Sequence, residues 1–417
     1  MTRWFENGKL HMGLGIEDTF VPQSRPGERA IDEYELTDHY NQFPTDFALA
    51  QSVGADFLRW GIPWYRITPE QGKWDWDWTD RALDSMLEHG IRPVMDLLHY
   101  GTPLWLENQF ANPDFPAHFE EYAARFAARF GDRVTDYTPV NEPVIHALFA
   151  GEYAYWPPYL GGADGFATIA ANLARAFVRS QRAIASEVGA DACFIHVEAA
   201  IAYEGDDVAP EHREQAERLR HQIYLVEDLV TGRVDANHPL LDRVSHAISD
   251  TELDWFATNA VAPDIMGVNY YPRHSTELFE AGVHHSGGFA DPRPYADRGT
   301  AGLRKALEAF AERYQVPVMV TETCVTASHQ ERVDWLDQSV GLVEQMRSEG
   351  TNIVGYTWWP LFDMYEWTWR HSENPRQDHL LTMGLYDLNE TSQGLTRIEN
   401  PVARRFREHT SRLRQAR

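Results

Sequence analysis

Short apolar, β-branched runs alternate with longer stretches of helical periodicity along the whole chain. Strand-like runs fall at 12–17, 56–62, 92–98, 134–140, 193–199, 264–270, 317–322 and 353–359. Helical patterns occupy 42–53, 77–89, 117–130, 165–188, 210–231, 300–314 and 330–349, with a last one at 400–415. Their ends carry ordinary stop signals: "DWTDRALDSMLEHG" opens on an acidic, hydroxyl-bearing turn and closes at Gly90. Parallel strands need crossover connections, and alternation of this kind builds one parallel sheet covered by helices. Although 417 residues could hold two average domains, no linker or composition break divides the series. The expectation is a single domain over 1–417, an α/β protein of the (β/α)8 TIM barrel type with elaborated loops at the C-terminal face of the strands. Two long insertions, 102–116 and 272–299, each follow a strand and so belong at that mouth.

Composition excludes several classes of partner. A formal net charge of −26 with no basic stripe is incompatible with phosphate-backbone binding and suits solubility, so no nucleic acid is expected. Hydrophobic residues make up 43% of the chain, enough for a large core, yet no apolar run is long enough to span a bilayer, so no membrane partner is expected either. The opening "MTRWFENGKL" lacks a basic segment followed by an apolar one, which makes a cytoplasmic location the expectation. Cys193 and Cys324, the only cysteines, read as free thiols. Tryptophan is concentrated in "WDWDW" (74–78), "WW" (358–359) and "EWTW" (366–369). Such clusters serve sugar stacking and plain packing equally well.

Polar residues recur where the strands end. Glu17 follows the first, Arg59 lies on the second, His99 ends the third, and "YTPVNEP" (137–143) puts Asn141 and Glu142 after the fourth. His196 and Glu198 stand in "FIHVEAA", Asn269 and Tyr271 in "GVNYYPR", Glu322 in "VMVTETC" and Trp359 in "YTWWPLFDMYEW". Singly, each has a structural explanation: a solvated loop carboxylate, an ion pair, a satisfied core histidine. Together at one end of apolar strands they describe a site, because a packed core has no use for so many polar groups. Glutamates on the fourth and seventh strands of an eightfold barrel would face each other across the mouth.

These motifs resemble glycoside hydrolase family 1, the retaining β-glucosidases and β-galactosidases on (β/α)8 barrels, over residues from about 12 to 400. "TPVNEP" is similar to that family's acid/base motif, "VTETC" to its nucleophile motif, and "GVNYY" and "WWPLFDMYEW" to two further signatures, all in order. The resemblance implies an exo-acting retaining β-glycosidase taking a small carbohydrate or glycoside, without cofactor or metal. Glu142 would be the general acid and base, and Glu322 the nucleophile. Asn141 would bond the sugar 2-hydroxyl, and Arg59 and Tyr271 would hold the nucleophile. His99, Asn269 and Trp359 would line the sugar subsite, with Glu366 and Trp367 reaching its outer hydroxyls. Glu17 is a further candidate contact, and His196 and Glu198 read equally as substrate contacts or as a structural hydrogen-bonded pair.

That chemistry needs two carboxyls about 5–5.5 Å apart, one charged and one protonated. Arg59 is expected to favour the charged form of Glu322, and burial beside that charge the protonated form of Glu142. The chain departs from the family pattern at four places. Gly15 stands where a sugar-binding glutamine is usual, so either Glu17 or Asp18 compensates or the sugar differs. His99-Tyr100 replaces His-Trp, Thr323-Cys324 replaces Asn-Gly, and "DMYEW" replaces Asp-Asn-Phe-Glu-Trp. Cys324 reads as a small buried hydrophobe or a site contact. Transglycosylation would use the same two glutamates, and a non-catalytic sugar-binding barrel is the alternative from another class. Metal-dependent hydrolysis, suggested only by His284 and His285 in "VHHSGG", lacks a ligand pattern.

Overall fold

The computed structural model describes residues 3–205, 210–279, 295–392 and 394–415. Eight parallel strands close into a barrel: β1 (His11–Gly15), β2 (Phe57–Gly61), β3 (Arg92–Asp96), β4 (Asp136–Thr138), β5 (Cys193–Ala199), β6 (Ile265–Asn269), β7 (Val318–Glu322) and β8 (Ile353–Trp358). Each pairs with its neighbour in sequence and β8 returns to β1, with Leu14 opposite Trp358. All eight expected strands are present, and the fourth is shorter than its apolar run.

Side chains alternate between two apolar layers. Phe57, Val94, Ile195, Val197, Ile265 and Met319 point into the barrel and plug it from below together with Phe5. Their neighbours Leu58, Met95, Phe194 and Met266 face outward into the larger core shared with the helices. Interior space is tight: a Cβ on Gly13 would stand 2.0 Å from the Phe57 ring.

The helical layer comprises α1 (His39–Ser52), α2 (Asp77–Glu88), α3 (Phe115–Phe130), α4 (Gly162–Val188), α5 (Pro210–Leu219), α6 (Leu225–Val230), α7 (Asp250–Asn259), α8 (Gly299–Tyr314), α9 (His329–Ser348) and α10 (Pro401–Gln415). Three features differ from the sequence expectation. The single helix at 210–231 is broken, because α5 buries only Ala216 whereas α6 is buried on every side, and one straight axis cannot serve both. Helix α7 was not anticipated, although "SDTE" at 249–252 forms its capping box. An antiparallel pair, Tyr386–Thr391 with Gly394–Glu399, was also missed. Of the 272–299 insertion, 280–294 with His284 and His285 lie outside the described residues. No described helix is long and apolar enough to cross a membrane.

The segment after β8 is held by Asp363. Its buried carboxylate accepts from the N–H groups of Met383 (2.9 Å), Gly384 (2.9 Å) and Leu388 (3.2 Å) and lies 3.7 Å from Arg332. Replacing it with alanine strands three buried donors and takes one carboxylate from Arg332, which keeps the Gly384 carbonyl (2.7 Å) and Asp387 (3.5 Å). Asp363→Ala is expected to cost about 3–5 kcal/mol in a denaturant titration.

Candidate active site

Above the interior plug, a cavity of about 440 Å³ opens at the C-terminal ends of the strands. The inward positions that follow the plug residues are polar. Arg59 stands two residues above Phe57, Asp96 two above Val94, and Asn269 four above Ile265. Strict alternation from Met319 would turn Glu322 outward, but the register of β7 against β6 slips at Thr321, so Glu322 pairs with Asn269 and lines the cavity.

Arg59 organises the floor. Its guanidinium donates to Glu322 Oε1 (2.6 Å), Asp96 Oδ2 (2.7 Å) and Asn141 Oδ1 (2.6 Å), all without solvent exposure on the arginine. A buried cation is tolerable only with close charged acceptors of this kind. Tyr271 donates to the other oxygen, Glu322 Oε2 (2.6 Å). Across the cavity, Glu142 accepts from Asn269 Nδ2 at Oε1 (2.9 Å) and from the Tyr100 hydroxyl at Oε2. Thr321 fixes the Asn269 amide by donating to its Oδ1 (2.6 Å). Glu142 and Tyr100 both have left-handed backbones, at φ 42° and 73°, a strained conformation for these residue types that concentrates at functional sites.

Burial is the largest influence on Glu322; despite Arg59, and with the Glu142 charge adding to it, its pKa is pushed up to about 7. This corrects the expectation that the arginine would settle the matter: it acts in the anticipated direction and is outweighed. Burial also raises Glu142, against the hydrogen bonds from Tyr100 and Asn269. Two carboxyls that each resist ionisation in one dry site, and whose charges oppose each other, titrate as a pair.

His99 lines the cavity, with Nδ1 2.9 Å from Asp18 and 3.3 Å from Asp96. Burial works against its imidazolium, but these carboxylates carry its pKa well above the ordinary value. Asp18 is raised by burial to about 7, against the pull of His99. Asp18, Asp96 and His99 are also the one ligand-like cluster among the described residues. Arg59 already holds Asp96, so a metal ion there would sit beside a fixed positive charge. The cluster is an ion-pair network.

Not every residue named from sequence reaches the cavity. Glu17, Glu366 and Trp367 do, as does Cys324, whose thiol burial holds in the neutral form. Asn141 does not: it is buried beneath, with Oδ1 on Arg59 and Nδ2 facing His99 (3.2 Å) and Tyr100 (3.3 Å). Glu198 and His196 point away, because Cys193, Ile195 and Val197 take the inward positions of β5. Glu198 accepts from the backbone of Val144 (3.2 Å) and Ala199 (2.8 Å), while His196 bonds Glu227 (2.8 Å) and Gln181 (2.7 Å). Asp96 and Tyr100 were assigned no role from the sequence; the signal for Asp96 was a lone acid inside the apolar run 92–98.

Comparison with known proteins decides the family. The model for "Glycosyl hydrolase family 1" matches residues 3–375. The chain belongs to that family. It is therefore a glycoside hydrolase acting on O-glycosyl bonds, of the β-glycosidase kind. Its relatives include β-glucosidase A of Thermotoga maritima, 26% identical over 81% of this chain and 80% of that one. β-Glucosidase 44 of Arabidopsis thaliana is 27% identical over 86% of this chain and 81% of that one. The solved family 1 β-glucosidase of Thermotoga maritima has the same fold, with a TM-score of 0.79 at 21% identity over 97% of both chains.

In this family 1 hydrolase the wall at Gly15 is closed by packing. A Cβ there would stand 1.7 Å from Trp359, whose ring occupies the space a side chain would need. Trp359 is accordingly buried and does not line the cavity, contrary to expectation. It stacks on His99 at 5.6 Å and 15°, lies 4.6 Å from the Arg59 guanidinium and donates from Nε1 to Glu17 Oε2 (2.8 Å). Gly15→Ala is expected to cost about 1–3 kcal/mol in a denaturant titration, through overpacking against that ring. Glu322 makes a second measurable demand. Its raised pKa means that the folded chain binds more protons than the unfolded one, so stability drains away as pH rises from about 4.5 to about 7. In Glu322→Gln this loss is absent, and Arg59 keeps Asp96. The melting temperature of the variant should gain on the wild type across that window.

Proposed function

We propose that this chain hydrolyses a terminal β-linked glycoside with net retention, through a covalent intermediate on Glu322. The observation that carries this reading is the pairing of Glu322, gripped by Arg59 and Tyr271, with Glu142 in one cavity. Glu322 attacks the anomeric carbon as Glu142 passes its proton to the departing glycosidic oxygen. Ionised Glu142 then takes a proton from water, whose oxygen displaces Glu322 and regenerates both groups. When Glu322 becomes a neutral ester, Arg59 remains paired with Asp96, so the intermediate leaves no orphaned buried charge. Trp367 offers an indole N–H without a protein partner, and Glu366 is half-exposed at its side. Both suit the outer hydroxyls of a sugar ring. On the Glu142 side the wall is apolar and aromatic (Ile145, Leu148, Phe149, Tyr153 and Tyr155), which suits a hydrophobic aglycone. The relatives' names make β-glucosides the first substrates to try, as chromogenic aryl glycosides, and Gly15 calls for galactosides, fucosides and xylosides beside them.

An activated 2-fluoro glycoside is expected to add its sugar mass to Glu322 in a peptide map; labelling elsewhere, or none across the panel, would refute the assignment. Glu142→Gln is expected to lose about 10²–10⁴-fold in kcat/KM on alkyl glycosides and far less on dinitrophenyl glycosides, whose leaving groups need no proton.

A further inference from the structure

The residue beside the acid/base that no role has yet absorbed is Tyr100. It is fully buried at the cavity wall and held by aromatic contacts from several elements. His99 meets its ring edge-on at 4.7 Å, His146 lies at 4.7 Å, Trp156 at 4.8 Å and Trp367 at 5.7 Å. Its left-handed backbone turns the side chain toward Glu142, to which the hydroxyl donates while accepting from Asn141 Nδ2 at 3.3 Å.

We propose that Tyr100 is the positioning residue of the acid/base, its hydroxyl holding the Glu142 carboxyl in the orientation and charge state that activates water in the second half-reaction. This inference rests on the reading of Glu142 given above. Both oxygens of Glu142 face donors: Asn269 at Oε1 and Tyr100 at Oε2. Asn269 cannot reverse its role, because Thr321 locks the amide and an N–H cannot accept. A phenol can. When Glu142 is ionised, Tyr100 donates to Oε2. When Glu142 carries its proton on Oε2, the phenol oxygen can accept it and turn its own hydrogen elsewhere. Tyr100 thus makes the carboxylate a well-held base and is the one adjustable partner of the acid.

The other charges facing Glu142 cannot substitute for this contact. Arg59 and His99 favour its ionised form through space, and Glu322 and Glu198 oppose it. None of these four donates a hydrogen bond to the Glu142 carboxyl. A donor to the charged form lowers a carboxyl's pKa, so removing Tyr100's hydroxyl must raise that of Glu142.

The test is Tyr100→Phe in the full chain, assayed across pH on the unfluorinated aryl β-glycoside of the same sugar whose 2-fluoro analogue labels Glu322. The alkaline limb of kcat/KM, where Glu142 loses its proton, should move up by about one unit. With a dinitrophenyl glycoside, kcat should fall and a burst appear as water attack becomes limiting. A limb that coincides with the wild type, in an enzyme whose circular dichroism and melting temperature are intact, overturns the proposal. Should the phenylalanine variant fail to fold, fluorotyrosine at position 100 decides instead. As a stronger donor of nearly the same size it should move the limb down, and an unmoved limb again overturns the proposal. Azide rescue of Glu142→Ala separates the two readings. Rescue with unmoved limbs removes the role of Tyr100 alone, whereas no rescue removes the acid/base assignment and this inference with it.

Discussion

Everything at the mouth of the barrel is arranged around one buried guanidinium. Arg59 sits on the layer above an apolar plug with no access to water, where an unpaired cation would be prohibitive. Asp96, Asn141 and Glu322 meet that demand from three other strand ends, so satisfying one charge fixes four elements relative to one another. The site is therefore rigid for a reason that has nothing to do with substrate. Arg59 and Tyr271 between them hold both oxygens of the Glu322 carboxyl, which sets its position at the cavity.

The same floor explains why the electrostatics differ from a simple pairing rule. Arg59 shares its charge with Asp96, and Glu142 faces Glu322 in the same water-poor space. Burial then raises both glutamates, and the pair retains a proton at a pH where isolated carboxyls would have lost theirs. On the far side, Trp359 over Gly15 and the His99 ion pairs form a closed backing behind Glu17, which makes this wall a packed element where the family pattern would place a polar side chain.

Much of this was legible in the residues themselves. Eight alternating units gave the barrel, and the glutamates of "TPVNEP" and "VTETC" lie on its fourth and seventh strand ends and reach one cavity. Other positions were harder. The outward aim of His196 and Glu198 follows from counting by twos from Cys193, a signal present in the sequence but masked by the polar cluster. The break between α5 and α6 depended on which core each half would meet, and no glycine or proline marks it.

By itself the sequence determined the strand–helix order and the residue types available at each strand end, because hydrophobic periodicity and turn chemistry are local properties of the chain. Tertiary structure alone decided where those side chains point. The slip at Thr321 turns Glu322 inward, the Trp359 ring fills the space over Gly15, and Asn141 is drawn down to Arg59. Each of these outcomes depends on contacts between residues distant along the chain, competing for one crowded volume and one buried charge, and no local pattern records that competition.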